Sequence, residues 1–386
     1  MFRNMSNSEI ISFIRSLFNE PEAFIPLHAP IFGGNEKKYV LDTIESTFVS
    51  SVGKYVSRFE EMMQEITGAK YAVATVNGTT ALHLAMIVAG VKDGDEVITQ
   101  PLTFVATANA IAHCRAFPVF VDVDRQTMGL SADALSLFLD EHAVIKGDEC
   151  YNKKTGRRIS ACIPMHTFGF PVFIAEIAEL CRKWRIPLIE DAAESIGSYV
   201  SDQHTGTFGL AGTFSFNGNK TITSGGGGAI VTNDEKYARL AKHLSTTAKQ
   251  PHPWEFVHDH VAFNYRMPNL NAALACAQLE QLPAFLKSKR ALSLEYGNYF
   301  KDSDVAFVKE REGTTANYWL NAILFKDRSS RDRFLSESND SKVMSRPAWE
   351  LMNRLPMYED CLRGDLSNAE WLEERLVNIP SSVRKQ

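Results

Sequence analysis

Lys220 stands in a setting that few loop lysines have. The run Thr213-Phe214-Ser215-Phe216-Asn217-Gly218-Asn219-Lys220 leads from an apolar stretch into a turn, and Gly225-Gly226-Gly227-Gly228 follows. A loop lysine is ordinarily a solvated charge. One flanked by Asn217, Asn219, Thr221 and Thr223, between an apolar strand and four glycines, suits a lined site instead. A lysine amine freed of its proton attacks carbonyl carbon. The spacing around Lys220 is not that of a Walker phosphate loop, nor does the glycine run follow a first strand as a dinucleotide fingerprint does.

Two further segments end predicted strands. In Pro187-Leu188-Ile189-Glu190-Asp191-Ala192-Ala193-Glu194 an apolar run stops at two adjacent carboxylates. Side chains alternate along a strand, so Glu190 and Asp191 cannot both face one site unless the strand has ended. A carboxylate at the carboxyl end of a parallel strand lies where such sheets bind ligands. It can serve there as helix cap, metal ligand or counterion, and the lack of a nearby His pair weakens the metal reading. Asn77-Gly78-Thr79-Thr80 follows a strand and opens a helix. A helix N-terminus offers free N–H groups to phosphate; taken alone, the segment reads sooner as a capped helix start without a ligand, the commoner case.

The elements that must carry these residues alternate. Strands are predicted over Tyr71–Val76, Glu96–Thr99, Pro118–Val123, Ile159–Met165, Pro187–Glu190, Gly212–Phe216 and Ala229–Thr232. Most are continuous apolar runs, as in strands covered on both faces. Helical patterns lie between them, among them Thr79–Val88, Ala132–Leu139 and Ile174–Trp184. The alternation predicts an α/β fold with a mostly parallel seven-stranded sheet and right-handed crossovers. Beyond about residue 250 a proline-marked loop leads to a long helical pattern, Asn269 to Leu286, and then to mixed segments. The expected division is therefore a large domain over residues 1–250 and a smaller C-terminal α+β domain over 251–386. Met1 to Phe18 reads as a short amphipathic helix, and Ile145 to Arg158 as an exposed loop or hairpin.

The 386 residues carry 41 basic and 46 acidic side chains, a formal net charge of −5, with 45% hydrophobic and 23% charged residues. That balance is globular and has no general attraction for nucleic acid or anionic lipid. No run reaches the ~20 apolar residues of a membrane span. The six cysteines form no C-x-x-C pair, which suits reduced thiols and a cytoplasmic location.

In this order the segments resemble the DegT-type nucleotide-sugar aminotransferases, pyridoxal-phosphate (PLP) enzymes of the fold type I, aspartate aminotransferase kind. Asn77-Gly78-Thr79-Thr80-Ala81-Leu82, Thr103-Phe104-Val105-Ala106-Thr107-Ala108-Asn109, Glu190-Asp191-Ala192-Ala193-Glu194-Ser195, Phe214-Ser215-Phe216-Asn217 and Asn264-Tyr265-Arg266-Met267 carry the likeness, which runs from about Ile25 to the C-terminus. The resemblance implies that Lys220 binds PLP as a Schiff base and moves the proton during catalysis. It implies that Asp191 faces the pyridine nitrogen, that Phe104 and Ala193 pack on opposite ring faces, and that Gly78, Thr79 and Ser215 bind the phosphate. Glu194 lies near the ring hydroxyl, where many relatives have Gln. Asn264 reaches the phosphate of a partner subunit, which implies a homodimer with shared active sites. His166 is expected either at the cofactor edge or as an ordinary buried histidine, and Lys249 and Arg266 are candidates for binding anionic groups. No metal is implied.

Within the family the chain is similar to the branch acting on UDP-linked 4-keto-6-deoxy-N-acetylhexosamines, on the strength of Ser50-Ser51-Val52-Gly53, Phe216–Lys220 and Gly225–Gly228. Two positions depart from wider patterns: relatives more often have a Glu within the glycine run, and that branch often has Trp where Phe48 stands. The implied reaction transfers an amino group from L-glutamate to C4 of such a sugar. The alternatives are a dTDP- or GDP-linked keto sugar, amination at C3, and a non-catalytic regulatory homologue. Related dehydrating enzymes have His at the lysine position, which Lys220 argues against.

Overall fold

The computed structural model describes residues 3–384. The chain opens with α1 (Asn7–Phe18), α2 (Glu36–Glu45) and α3 (Lys54–Thr67), then alternates through β1 (Tyr71–Thr75), α4 (Gly78–Val88), β2 (Glu96–Thr99), α5 (Val105–His113), β3 (Phe117–Phe120) and α6 (Ala132–His142). The hairpin β4 (Ala143–Lys146) and β5 (Glu149–Asn152) leads into β6 (Arg158–Ile163), α7 (Ile174–Lys183) and β7 (Ile189–Asp191). A small hairpin, β8 (Tyr199–Val200) and β9 (Gln203–His204), precedes β10 (Ala211–Ser215), β11 (Gly228–Thr232) and α8 (Glu235–Ser245). All seven predicted sheet strands form, with ends shifted by one or two residues in most of them. The β4–β5 hairpin begins at Ala143, two residues before the polar stretch expected from Ile145, which holds its turn and β5.

β10 pairs parallel with β7 and antiparallel with β11, which pairs antiparallel with β1. β2 pairs parallel with both β3 and β6. Parallel bridges from Cys162 to Leu188 and from Met165 to Asp191 join the two sets. The order is therefore β1-β11-β10-β7-β6-β2-β3, mostly parallel with β11 reversed inside it, and the β4–β5 hairpin adds a second reversed strand, β5, beside β6. The link from β10 to β11 contains no helix, so the chain returns antiparallel. Alternate residues of β11 enter opposite layers: Val231 packs with Phe59, Met63 and Ala272, while Ile230 packs with Leu84, Ile111 and Ala241. Helices thus cover both faces, which is why these strands read as unbroken apolar runs.

The C-terminal part holds α9 (Asn269–Leu279), α10 (Leu282–Tyr299), β12 (Ala306–Phe307), β13 (Thr314–Thr315), β14 (Asn321–Leu324), α11 (Arg328–Asp340), β15 (Arg346–Pro347), α12 (Ser367–Glu373) and β16 (Leu376–Ile379). β12, β14, β16 and β15 form a second, antiparallel sheet in that order. The single long helix expected from Asn269 to Leu286 is two helices. Pro283 stands in the first turn of α10, where its missing N–H costs nothing, and a helix cannot run through it from α9 unbroken.

At the other end Ser6 caps α1 through a reciprocal Ser6–Glu9 box. Ile10 and Ile14 of α1 pack with Leu292, Tyr296, Val377 and Ile379, so this helix lies on the second sheet. The first two residues of the expected helix fall outside the described residues. All six cysteines are free thiols. Among the described residues no helix is long and apolar enough to cross a membrane.

Candidate active site

The ends of four strands, one of them running into a helix start, meet at a pocket of about 350 Å³. β1 delivers Asn77, Gly78 and Thr79; β7 delivers Asp191, Ala193 and Glu194; β10 delivers Ser215 and then Lys220; the loop after β2 delivers Phe104. All four strands run parallel, so these residues gather at one edge, the carboxyl end where α/β sheets bind ligands.

Asn77 caps α4 reciprocally with Thr80: the Thr80 N–H donates to Asn77 Oδ1 at 2.8 Å, and the Asn77 N–H to Thr80 Oγ1 at 3.3 Å. That cap satisfies the N3 donor and leaves the N–H groups of Gly78 and Thr79, two residues that line the pocket, without a partner within the helix. Gly78 is required by close packing. A Cβ there would stand 2.7 Å from the Ser215 Cβ. Gly228 is equally constrained, since a Cβ would come within 2.4 Å of the Asn77 carbonyl. The turn at Asn77-Gly78 can therefore lie against the end of β10 and the start of β11 only where both glycines leave the backbone bare.

Glu190 and Asp191 point apart, as strand alternation demands. Glu190 is wholly buried on the far side and accepts from the Gly206, Phe208 and Gly209 N–H groups at 2.7, 2.6 and 3.0 Å. His166 Nε2 lies 3.0 Å from the same carboxylate, and the Val172 N–H donates to His166 Nδ1 at 3.3 Å. The proton then sits on Nε2 facing Glu190, so of the two readings of His166 the buried structural one holds. Asp191 faces the pocket. Thr107 Oγ1 donates to its Oδ2 at 2.8 Å and the Ala193 N–H to its Oδ1 at 3.1 Å. Burial raises the Asp191 carboxyl above its ordinary range, opposed by these hydrogen bonds and by the nearby Lys220.

Lys220 Nζ donates to Glu194 Oε1 at 3.0 Å and lies 4.0 Å from the centre of the Trp319 ring. Burial pushes the Glu194 carboxyl up to about 7, against the pull of Lys220 and of the Phe168 N–H, which donates to Oε2 at 2.8 Å. Phe104 is 48% exposed at the mouth, edge-on to Trp349 with ring centres 6.3 Å apart.

Asn264 is the one expected site residue that does not line the pocket of its own chain; it is exposed and accepts from Arg266 Nε at 2.9 Å. Lys249 also lies apart, its ammonium 3.9 Å over the Phe256 ring. Among the described residues, His243, Asp259 and His260 form a group that could ligate a metal. They lie away from the pocket, with Asp259 Oδ1 within hydrogen-bond distance of both imidazoles.

Sequence reasoning missed Trp319 and Trp349, which close the pocket from the C-terminal part, and the contact of Thr107 with Asp191. Thr107 lay inside a quoted motif and could have been found by its position one turn into α5. No spacing signal pointed to the tryptophans.

A helix start, a buried carboxylate and a lysine lining one pocket fit PLP: free N–H groups for its phosphate, a countercharge for its ring nitrogen and an amine for its aldehyde. Fold and site together define a fold type I PLP enzyme. Residues 30–385 match the DegT/DnrJ/EryC1/StrS aminotransferase family, and the chain belongs to that family; it is a PLP-dependent aminotransferase. It is 37% identical over 366 residues to the GDP-perosamine synthase of Vibrio cholerae, covering 92% of this chain and 94% of that one. It is 35% identical to the GDP-perosamine synthase of Escherichia coli O157:H7, covering 93% of each. Among solved structures, the aminotransferase TlmJ of Streptoalloteichus hindustanus superposes with a TM-score of 0.84 at 28% identity, over 93% of this chain and 94% of that one.

Proposed function

We propose that the chain moves an amino group from L-glutamate to the keto carbon of a nucleotide-linked sugar, with Lys220 as the lysine that joins the cofactor and carries the proton. The observation behind this reading is the meeting of Lys220, Asp191 and the α4 N-terminus on one pocket. Bound PLP supplies an electron sink for breaking the carbon–hydrogen bond beside nitrogen. The chain's own residues do the rest. Gly78, Thr79 and Ser215 hold the phosphate, and Asp191 keeps a proton on the ring nitrogen through opposite charge. Phe104 and Ala193 confine the ring. Lys220 takes a proton from one carbon and returns it to another, and Glu194 holds that lysine.

For the acceptor, the curated relatives favour a GDP-linked sugar over the UDP-linked 4-keto-6-deoxy-N-acetylhexosamine expected from the motifs, because both of those compared above are GDP-perosamine synthases. The UDP-linked reading keeps one structural support. Relatives more often have Glu at Gly226 or a neighbour in the glycine run; Gly226 lines the pocket, and a Cβ there would meet only the Val76 carbonyl at 3.8 Å. The missing side chain leaves space for an N-acyl group.

The working form is a homodimer in which Asn264 of one copy serves the other's phosphate. Asn264 is outward-facing, and apolar side chains are exposed nearby at Trp254, Phe256 and Val261, and separately at Phe48 and Val52.

Purified enzyme assayed with glutamate against GDP-, UDP- and dTDP-linked keto sugars tests the acceptor. Turnover of the GDP sugar alone supports the first reading and turnover of the UDP sugar alone the second. Lys220→Ala is expected to stay folded and to lose turnover with every acceptor; retained turnover sinks the role given to Lys220.

A further inference from the structure

The Lys220 amine is held from two sides, by Glu194 Oε1 at 3.0 Å and by the Trp319 ring at 4.0 Å. Neither partner is loose. Trp319 Nε1 donates to the Asn219 carbonyl at 2.7 Å, tying the indole to the residue before Lys220. The Trp319 N–H donates to Asn317 Oδ1 at 2.7 Å, and Asn317 Nδ2 donates to the Glu194 carbonyl at 2.8 Å. Behind the indole, Lys289 is wholly buried and donates to the carbonyls of Tyr318, Trp319 and Ser381 at 3.3, 3.1 and 2.7 Å. A buried ammonium is costly unless its protons are all engaged. Here each has an acceptor, and two of the three belong to the segment that presents Trp319.

We propose that Glu194 and Trp319 form a dock for the free ammonium of Lys220, filled whenever that amine is not joined to the cofactor, with Trp319 as a positioning residue. The inference rests on the reading of Lys220 given above. The face of an indole attracts a cation, and the carboxylate adds a charge-assisted hydrogen bond. Together they keep a flexible four-carbon stem inside the pocket that Asp191 and the α4 N-terminus also line. The dock also gives the proton a destination. As the Nζ–H bond breaks an Oε1–H bond forms, leaving a neutral amine and a neutral carboxyl. Burial has already raised Glu194 to about 7. The other titratable groups facing Lys220 are Asp191, raised by burial, and His28, held neutral by burial and by the charges of Lys289 and Lys220.

The test uses the full chain freed of cofactor. The rate at which it captures pyridoxal 5′-phosphate is followed by absorbance across pH, with Lys220→Ala measuring capture by other lysines. Removing either half of the dock stabilises the ammonium less, so the amine becomes available at lower pH. Trp319→Leu and Glu194→Gln should each move the capture midpoint down by about one pH unit. Trp319→Phe, which keeps a weaker aromatic face in a more conservative frame, should move it down by less. A midpoint that stays at the wild-type position in Trp319→Leu or in Glu194→Gln, with circular dichroism unchanged, overturns the dock. Capture by Lys220→Ala at the wild-type rate instead overturns the assignment of Lys220.

Discussion

Lys289 shows how a single buried residue leaves a mark on the whole protein. In the unfolded chain a lysine keeps its proton to about 10, whereas burial pushes Lys289 down to about 7. Between those values the unfolded chain binds more protons, so this residue makes stability rise with pH over that interval. Below pH 7 both states are charged, and the native state bears the whole cost of the buried charge. Lys289→Met deletes the titration and strips three carbonyls of a donor, a loss of about 1–3 kcal/mol for each group left unpaired. The variant is expected to melt below wild type, and by a wider margin at pH 9 than at pH 6. Thermal melts at the two pH values check this, and a margin that narrows toward pH 9 contradicts it. Lys220 and Asp191 were legible in the sequence because Asp191 ends an apolar strand and Lys220 stands in the turn that follows one, where chemistry and local pattern coincide. Trp319 and Lys289 were not, because their roles depend on contacts about 100 residues or 30 residues away that no local periodicity encodes.

At the scale of elements, the sheet was readable because its strands are buried on both faces and bounded by turns. The α9–α10 break was less so, since the apolar pattern continues across Glu280 and Gln281 while Pro283 alone marks a new start. The start of α4 carries the sharpest consequence. Gly78→Ala places a methyl 2.7 Å from the Ser215 Cβ, so the start of α4 and the end of β10 must part where the phosphate is proposed to bind. Overpacking of this kind costs about 1–3 kcal/mol, or on the order of tenfold to a hundredfold in cofactor Kd. Cofactor titration of the variant measures it; unchanged affinity shows that the phosphate is held elsewhere.

At the scale of the molecule, we propose a division near residue 250, into units over 1–250 and 251–386. Neither unit keeps its core to itself. α9, past that point, packs on α3 and β11, while α1, well before it, packs on the second sheet. Assembly is the larger question. Val261 is 98% exposed and Trp254 76%, beside Asn264. If a second copy covers this face, Val261→Asp should turn a dimer into a monomer in sedimentation velocity and weaken cofactor retention with it. A dimer that persists in this variant places the interface away from residues 254–264.

Because β11 runs against its neighbours, it begins at the rim where the others finish, and it begins with glycine. One side of the entrance is therefore plain main chain, a smooth doorstep among walls of tryptophan and phenylalanine. Of residues 225–228 it is Gly226 that lines the pocket, with open space where a side chain would stand, so exchanging that glycine for a larger residue is the shortest route to a narrower choice of guest.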